Sequence, residues 1–323
     1  MSVPCWRGVP VVGRPAYESL GEVHIRATPD DFRVDEMLGF EPDGCGEHVF
    51  LQVRKVDANT AWVARELARA SGLTARDVSY AGRKDRHAVT TQWFSCWLPR
   101  SDPDFGLLDV EGVTVLRATR HARKLRRGEH TANRFALRVS GSPLRERAAL
   151  AARLERLRDG FPNYFAEQRF GFDADNLSRA ERFFARPDRR KARKHRDRDL
   201  FYSAARAFLF NRLLDADVSA GSWLEGDATL AGDGPMSRED RKVLAPFAAL
   251  IDGLALDRTR PGSRARRVVP VDLEYVHENG LLQLSFELPA GSYATAMLRE
   301  LGALVDLSGR GYAADREAAG AAS

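Results

Sequence analysis

VVPVDLEYVHENGLLQLSFEL, residues 268–288, consists of two alternating runs around Asn279-Gly280. Leu282, Leu284, Phe286 and Leu288 fall on one side of the second run, and Asn-Gly between alternating runs is the strongest short-range signal for a hairpin. A two-stranded unit is marginal in water, so this hairpin requires a larger sheet. Sheet-like sequence lies far upstream. Period-two alternation marks Val23 and Ile25, Phe32 to Glu36, Val49 to Val53, Val78 to Ala81, Val89 to Leu98, Val113 to Ala118 and Phe135 to Val139. One helix interrupts them, capped by Asn59 or Thr60, carrying Trp62, Val63, Leu67 and Ala70, and stopped at Gly72. After Gly141 the spacing turns helical. Ser142-Pro143 reads as an N-cap with proline at the first helical position, and Leu144 to Leu157 as the helix, which Gly160 ends. Leu177 to Ala185, Leu200 to Leu214 and Ser237 to Ile251 follow, the last opened by Ser237-x-x-Asp240, while Trp223 to Leu230 reads as loop or short strand. A final helix is expected from Ser292, with Tyr293, Met297, Leu301 and Leu304, before a Gly/Ala-rich tail expected to fray. The expected fold is therefore α+β, a mixed or antiparallel sheet discontinuous in sequence with a helix-rich insertion. The boundaries are 1–158 and 269–307 for the two parts of the sheet domain, 159–268 for the insertion and 308–323 for a flexible tail.

With 44% hydrophobic residues among 323, the chain has material for a sizeable core, which excludes a disordered protein. No apolar run reaches the roughly 18 residues of a membrane span. The opening MSVPCWRGVPVVGRP is broken by Pro4, Arg7 and Pro10 before a signal core could form. Three scattered cysteines (Cys5, Cys45, Cys96) form neither a disulfide framework nor a CxxC knuckle. The cytoplasm is the expected compartment, with no membrane partner, no obligate protein partner and a monomeric state.

The net charge is only +5, but the cations are clustered. Arg117 to Arg138 includes Arg126 and Arg127; Arg186 to Arg198 (RPDRRKARKHRDR) includes Arg190, Lys191 and Lys194; Arg258 to Arg267 holds five arginines. Each cluster alone is explained equally well by a solvated helix face, but the three together point to an extended polyanion.

The window SYAGRKDRHAVTTQWFS (79–95) holds the most chemistry. Asp85, between Lys84 and Arg86 in a Gly-opened loop, is a carboxylate whose neighbours favour its charged form, suiting a nucleophile or proton acceptor. A solvated turn explains the same triplet at least as well. The signatures of zinc proteases, P-loops, dinucleotide folds and nucleophile elbows are missing. Seven histidines show no ligand spacing, so no metal is expected. Asp30, Asp31 and Glu36 could hold Mg²⁺, although a turn after Pro29 accounts for the first two. Phe135, two residues after Asn133, could stack on a base, but an alternating strand makes it a core ring by default.

AGRKDRHAVTTQ resembles the signature loop of the TruD family of tRNA pseudouridine synthases, Gly-x-Lys-Asp-x-x-Ala-x-Thr-x-Gln, met by Gly82, Lys84, Asp85, Ala88, Thr90 and Gln92. TPDDFRVDE, LGFEPDGCGEHVFLQVRK, HARKLRRGEHTANRF, FPNYFAEQRFG, SAARAFLFN and LPAGSYATAMLREL resemble further family segments in the family's order, from about Thr28 to Leu301. The resemblance implies a pseudouridine-synthase core with a family-specific insertion, acting on tRNA without cofactor or metal at uridine 13. It makes Asp85 the catalytic aspartate, with Lys84 beside it. Phe32 and Tyr293 would border the uridine, Asn133 would position the aspartate, Phe135 would stack on the base, and Arg26 would pair with the aspartate. Ala132 stands where the family often has Gly, and Tyr293 where Phe is usual, which adds a hydroxyl that needs a partner. Asp85 would either attack C1′ or remove the 2′ proton to give a glycal. Two rival readings stay open at this point: a non-catalytic RNA-binding or chaperone protein, and a metal-dependent nuclease built on Asp30, Asp31 or Glu36 with Asp85.

Overall fold

A computed structural model describes residues 6, 8–101 and 103–308, apart from the side chain of Arg190. The first half supplies β1 (Glu22–Ile25), β2 (Phe32–Met37), β3 (His48–Val56), α1 (Thr60–Ala70), β4 (Val78–Tyr80), β5 (Val89–Trp97), β6 (Val113–His121) and β7 (Ala132–Gly141). The middle supplies α2 (Arg147–Arg158), β8 (Phe161–Pro162), α3 (Asp175–Phe184), α4 (Arg189–Ala192), α5 (Arg198–Ala220), β9 (Asp227–Leu230), α6 (Arg238–Leu244), α7 (Ala248–Leu256), β10 (Gly262–Ala265) and β11 (Arg267–Val268). Last come β12 (Val271–Glu278), β13 (Leu281–Pro289), α8 (Ala294–Arg299) and β14 (Ala303–Asp306).

The late hairpin joins the early sheet. Asn279 (φ 52°) and Gly280 (φ 73°) take the left-handed conformations that a tight hairpin turn demands. β13 then pairs antiparallel with β7, Leu282 opposite Val139 through Pro289 opposite Ala132, and the sheet runs β12-β13-β7-β2-β5-β3-β6. β2/β5 and β1/β14 are parallel, so the sheet is mixed as well as discontinuous. Its buried face carries Phe32, Val34, Phe135, Leu137, Phe286 and Leu288, which pack with Leu154 and Leu157 of α2. A second cluster forms among α3, α5, α6 and α7 around Phe170, Phe183, Phe208 and Leu250. Helix α5 carries apolar side chains towards both clusters: Phe208 and Leu213 face the second, Phe210 and Leu214 the first. No described helix is long and apolar enough to cross a membrane.

Four details depart from the sequence expectations. Ser142 does not cap a helix; residues 142–145 form a 3-10 turn, α2 starts at Arg147, and the Ser142 hydroxyl accepts a hydrogen bond from Glu22 N at 2.9 Å. Ser237 does cap α6, accepting from Asp240 N at 2.9 Å, but the helix breaks after Leu244 where Pro246 removes an N–H. The final helix spans only Ala294–Arg299, so Leu301 and Leu304 are not on it. Instead β14 lies parallel to β1, Glu22 opposite Ala303 and Ile25 opposite Asp306. Gly302 permits this approach, since a Cβ there would lie 2.1 Å from the Gly21 carbonyl oxygen. The expected fraying concerns a tail whose residues 309–323 lie outside the described part.

Glu300, 1% exposed, anchors the early chain by accepting from Ala16 N (2.9 Å) and Tyr17 N (3.3 Å). Burial pushes its carboxyl up to about 7, against the pull of those N–H groups and Arg153. A raised acid holds its proton in the folded state where the unfolded chain has lost it. Stability is therefore expected to fall by on the order of 3 kcal/mol as pH rises from about 4.5 to about 7, and then level off. Urea unfolding across that range should show the decline, and Glu300→Gln should flatten it.

Candidate active site

The loop from Gly82 to Ala88, between β4 and β5, is fixed from beneath by buried polar side chains. Thr60, at the start of α1, accepts from Lys84 N at 3.0 Å and donates to Gln92 Oε1 at 2.8 Å, while Gln92 Nε2 donates to Gly82 O at 3.2 Å. Lys55 is fully buried on β3, and its Nζ donates to the carbonyls of Ala58 (2.7 Å) and Asp85 (2.8 Å). Burial pulls the Lys55 ammonium down to about 8, despite the opposing pull of Asp85. Lys55 shares its inward phase with Val49, Leu51 and Val53, so a lysine in a buried strand position was a sequence signal that pattern reading passed over.

The Asp85 carboxylate meets Arg26, the cation that the family resemblance sets against it. Arg26 Nη2 donates to Asp85 Oδ2 at 2.8 Å, and Arg26 Nη1 to Asp306 Oδ2 at 2.9 Å. The guanidinium also lies over the Phe32 ring, 4.1 Å from its centroid. Burial opposes the charge on Arg26, but the two carboxylates outweigh it and its pKa is raised. Arg26 reaches this position from a left-handed backbone (φ 56°), a conformation costly for a long side chain and found where surrounding structure enforces it. The Asp85 side chain is 27% exposed against 7% for Arg26, so the acid is the open member of the pair. Lys84 turns instead to Glu36, which also accepts from Trp93 N at 3.1 Å. His130 packs against Gly82, and burial, aided by Lys84, lowers its pKa.

Glu36 and Asn133 face each other across β2 and β7, both on the buried side of the sheet. Asn133 Oδ1 is buried without a partner, and among the described contacts Arg26 and Lys55, rather than Asn133, hold Asp85. Phe32 and Phe135 are core rings, 2% and 6% exposed; Phe135 stacks on Phe286 with centroids 5.3 Å apart and meets Phe32 edge-on. Tyr293 caps α8, and its hydroxyl accepts from Arg169 Nη2 at 2.9 Å, which supplies the partner that a tyrosine there requires. Phe165 packs against Tyr293 and is pinned by Asn211, which bonds both its N–H and its C=O at 2.9 Å.

The basic clusters divide. Arg126 and Arg127 are exposed, as are Lys191 and Lys194, whereas the Arg190 side chain lies outside the described residues. Arg189 and Arg193 are bound to Asp257. In the third cluster Arg264 donates to Asn163 O and Gly291 O, Arg266 to Glu225 O, and Arg267 to Asp159 O. Three of the five arginines in that cluster are thus tied to main-chain carbonyls of the protein itself. Asp30 pairs with Arg33, and Asp31 with Thr28 and Arg138, so neither is poised as a metal ligand.

A family model for tRNA pseudouridine synthase D (TruD) matches residues 20–195. The tRNA pseudouridine synthase D of Methylococcus capsulatus is 42% identical, with 89% of this chain and 95% of that protein aligned. Those of Xanthomonas axonopodis pv. citri (40% identity, 87% and 92%) and Aeromonas salmonicida (38%, 86% and 90%) are similar over nearly the same span. The crystal structure of a TruD-type protein from Methanosarcina mazei shares the fold, with TM-score 0.65, 19% identity, and 93% and 98% of the two chains covered.

Proposed function

The chain belongs to the tRNA pseudouridine synthase D family and isomerises uridine in tRNA, and we propose that it does so at position 13 with Asp85 as the reacting carboxylate. The observation that supports this role is the Asp85–Arg26 pair: an acid on a loop fixed by buried polar groups, open on one side and bound to a cation on the other. The reaction breaks the N1–C1′ bond, turns the uracil and joins C5 to C1′; the C5 proton leaves and N1 gains one. Substrate and product are isomers, so no redox partner is required. On either route Asp85 meets the ribose, as nucleophile at C1′ or as acceptor of the 2′ proton. Arg26 holds the carboxylate and balances its charge. Tyr293 is the aromatic that borders the base. Phe32 and Phe135 support the site at one remove, as the packing under Arg26, while Asn133 and the Lys84–Glu36 pair present polar groups to the uracil. A uridine must be everted to reach such a site, which requires its phosphates to be held. We assign that task to Arg126, Arg127, Arg190, Lys191 and Lys194, on a monomer acting in the cytoplasm.

Nucleotide-resolution pseudouridine mapping of unmodified tRNA transcripts treated with the protein tests the reading. Formation at position 13 is the expected result; its absence in every transcript would favour a purely RNA-binding protein. A second outcome concerns the phosphate contacts. Replacing Lys191 and Lys194 by Ala should weaken tRNA binding and reduce the slope of log K against log salt by about 0.7–0.9 for each phosphate lost, with turnover of bound RNA unchanged. An unaltered slope would return these lysines to a solvated surface.

A further inference from the structure

We propose that a cleft on α5 beside Tyr293 binds the RNA phosphodiester next to the everted uridine, with Arg206 as its anion-binding residue. This rests on the pseudouridine reading only for the position of the nucleotide. The cleft, about 300 Å³, is lined on one face of α5 by Asp199, Tyr202, Ser203 and Arg206, spaced so that all four face the same way, and on the other side by Phe165 and Leu230. It reaches the nucleotide site through one side chain. Arg169 Nη1 donates to Ser203 Oγ at 3.0 Å and its Nη2 to Tyr293 Oη at 2.9 Å.

The charge here is uncompensated. Arg206 makes one long bond, Nη2 to Leu230 O at 3.3 Å, and its Nε is buried without a partner. Arg169 Nε is likewise buried and unpartnered. Arg264, stacked 4.1 Å from the centroid of the Phe165 ring, donates to Asn163 and to the Gly291 carbonyl. None of the three arginines is ion-paired with a carboxylate among the described residues, whereas Asp199, the acid at the cleft, lies 3.3 Å from Arg198. Burial alone lowers the pKa of Arg206 and is the largest cause of the lowering to about 10 at Arg264. Arg26 and Arg189, also withdrawn from solvent, meet acids, whereas Arg153 is held by the main-chain carbonyls of Glu18 and Glu300 and Arg212 keeps two buried nitrogens without a partner. What sets Arg169, Arg206 and Arg264 apart is their grouping: Arg169 and Arg264 lie over the Phe165 ring, which lines the cleft together with Arg206, and they form a place for an anion carried by the substrate, a phosphodiester presenting the oxygens that guanidinium N–H groups fit.

The test uses the full-length protein and unmodified tRNA transcript, comparing wild type with Arg206→Gln and Arg206→Lys. Binding is measured across a salt series, and pseudouridine formation in single turnover at saturating protein. Arg206→Gln is expected to weaken binding about tenfold and lower the salt slope by about 0.7–0.9, with the saturated rate within about threefold of wild type. Arg206→Lys should restore the slope, because the charge is kept. An unchanged slope in Arg206→Gln overturns the proposal, as does an equal loss in both variants, which marks a packing role. Because the slope is read from binding, a wild-type protein that forms no pseudouridine would refute the function without deciding the phosphate site.

Discussion

Asp85→Asn is expected to abolish pseudouridine formation, lowering single-turnover rates by at least about 10²–10⁴-fold, the range over which positioned acid–base and nucleophilic groups contribute. The substitution preserves shape. The amide oxygen of the Asn can still accept from Arg26 Nη2, the Arg26–Asp306 contact survives, and the main-chain carbonyl of residue 85 still receives the Lys55 ammonium. Melting temperature and tRNA affinity should therefore stay close to wild type. Because the uracil C5 gives up its hydrogen when it bonds to C1′, release of tritium from transcript labelled at C5 measures the reaction directly. A variant retaining a tenth of the wild-type rate would remove Asp85 from the reaction and leave the fold without its proposed chemistry.

The second large effect is expected at Arg26. Arg26→Met leaves Asp85 and Asp306 facing each other without the cation between them, and uncovers the Phe32 ring. Breaking a fully buried pair costs about 3–5 kcal/mol, but Asp85 and Asp306 are 27% and 42% exposed, so solvent recovers part of this and about 2–3 kcal/mol is the expected loss. Turnover should fall more steeply, by about 10²-fold, since a catalytic group displaced by an ångström loses that much. Arg26→Lys keeps the charge but lacks the fork that spans two carboxylates, and should lie between the two. Equal melting temperature and equal turnover in Arg26→Met would show that neither carboxylate depends on this guanidinium.

How much of this was legible in the sequence depends on whether a residue's neighbours lie along the chain or across it. The long strands were legible because alternation is local, and the Asn279-Gly280 hairpin implied a sheet spanning both ends because two strands alone are marginal. β14 was not: four residues following a short helix present no alternation, and what makes them a strand is β1, some 280 residues earlier. Ser142 looked like a cap because its alternative use, a bond to Glu22, is tertiary. The same holds at the site. Asp85 stood out as a carboxylate between two cations and the resemblance decided between it and a solvated turn, Arg26 came through the resemblance alone, and Lys55 stood in an inward strand phase where a lysine is conspicuous. Asp306, which shares Arg26, carried no local mark. The arginines were the least legible. Nothing in RPGSRARR separates a cation that faces water from one such as Arg264, whose guanidinium is bound to a carbonyl and an aromatic ring.

The pairing of the earliest strand with the latest has a further consequence for biosynthesis. Until translation has passed Asp306, the parallel partner of β1 is incomplete, and the guanidinium that holds the Asp85 carboxylate lacks one of its two acids. The Asp85–Arg26–Asp306 arrangement is thus completed from the two ends of the described chain, and only once the closing strand has been made.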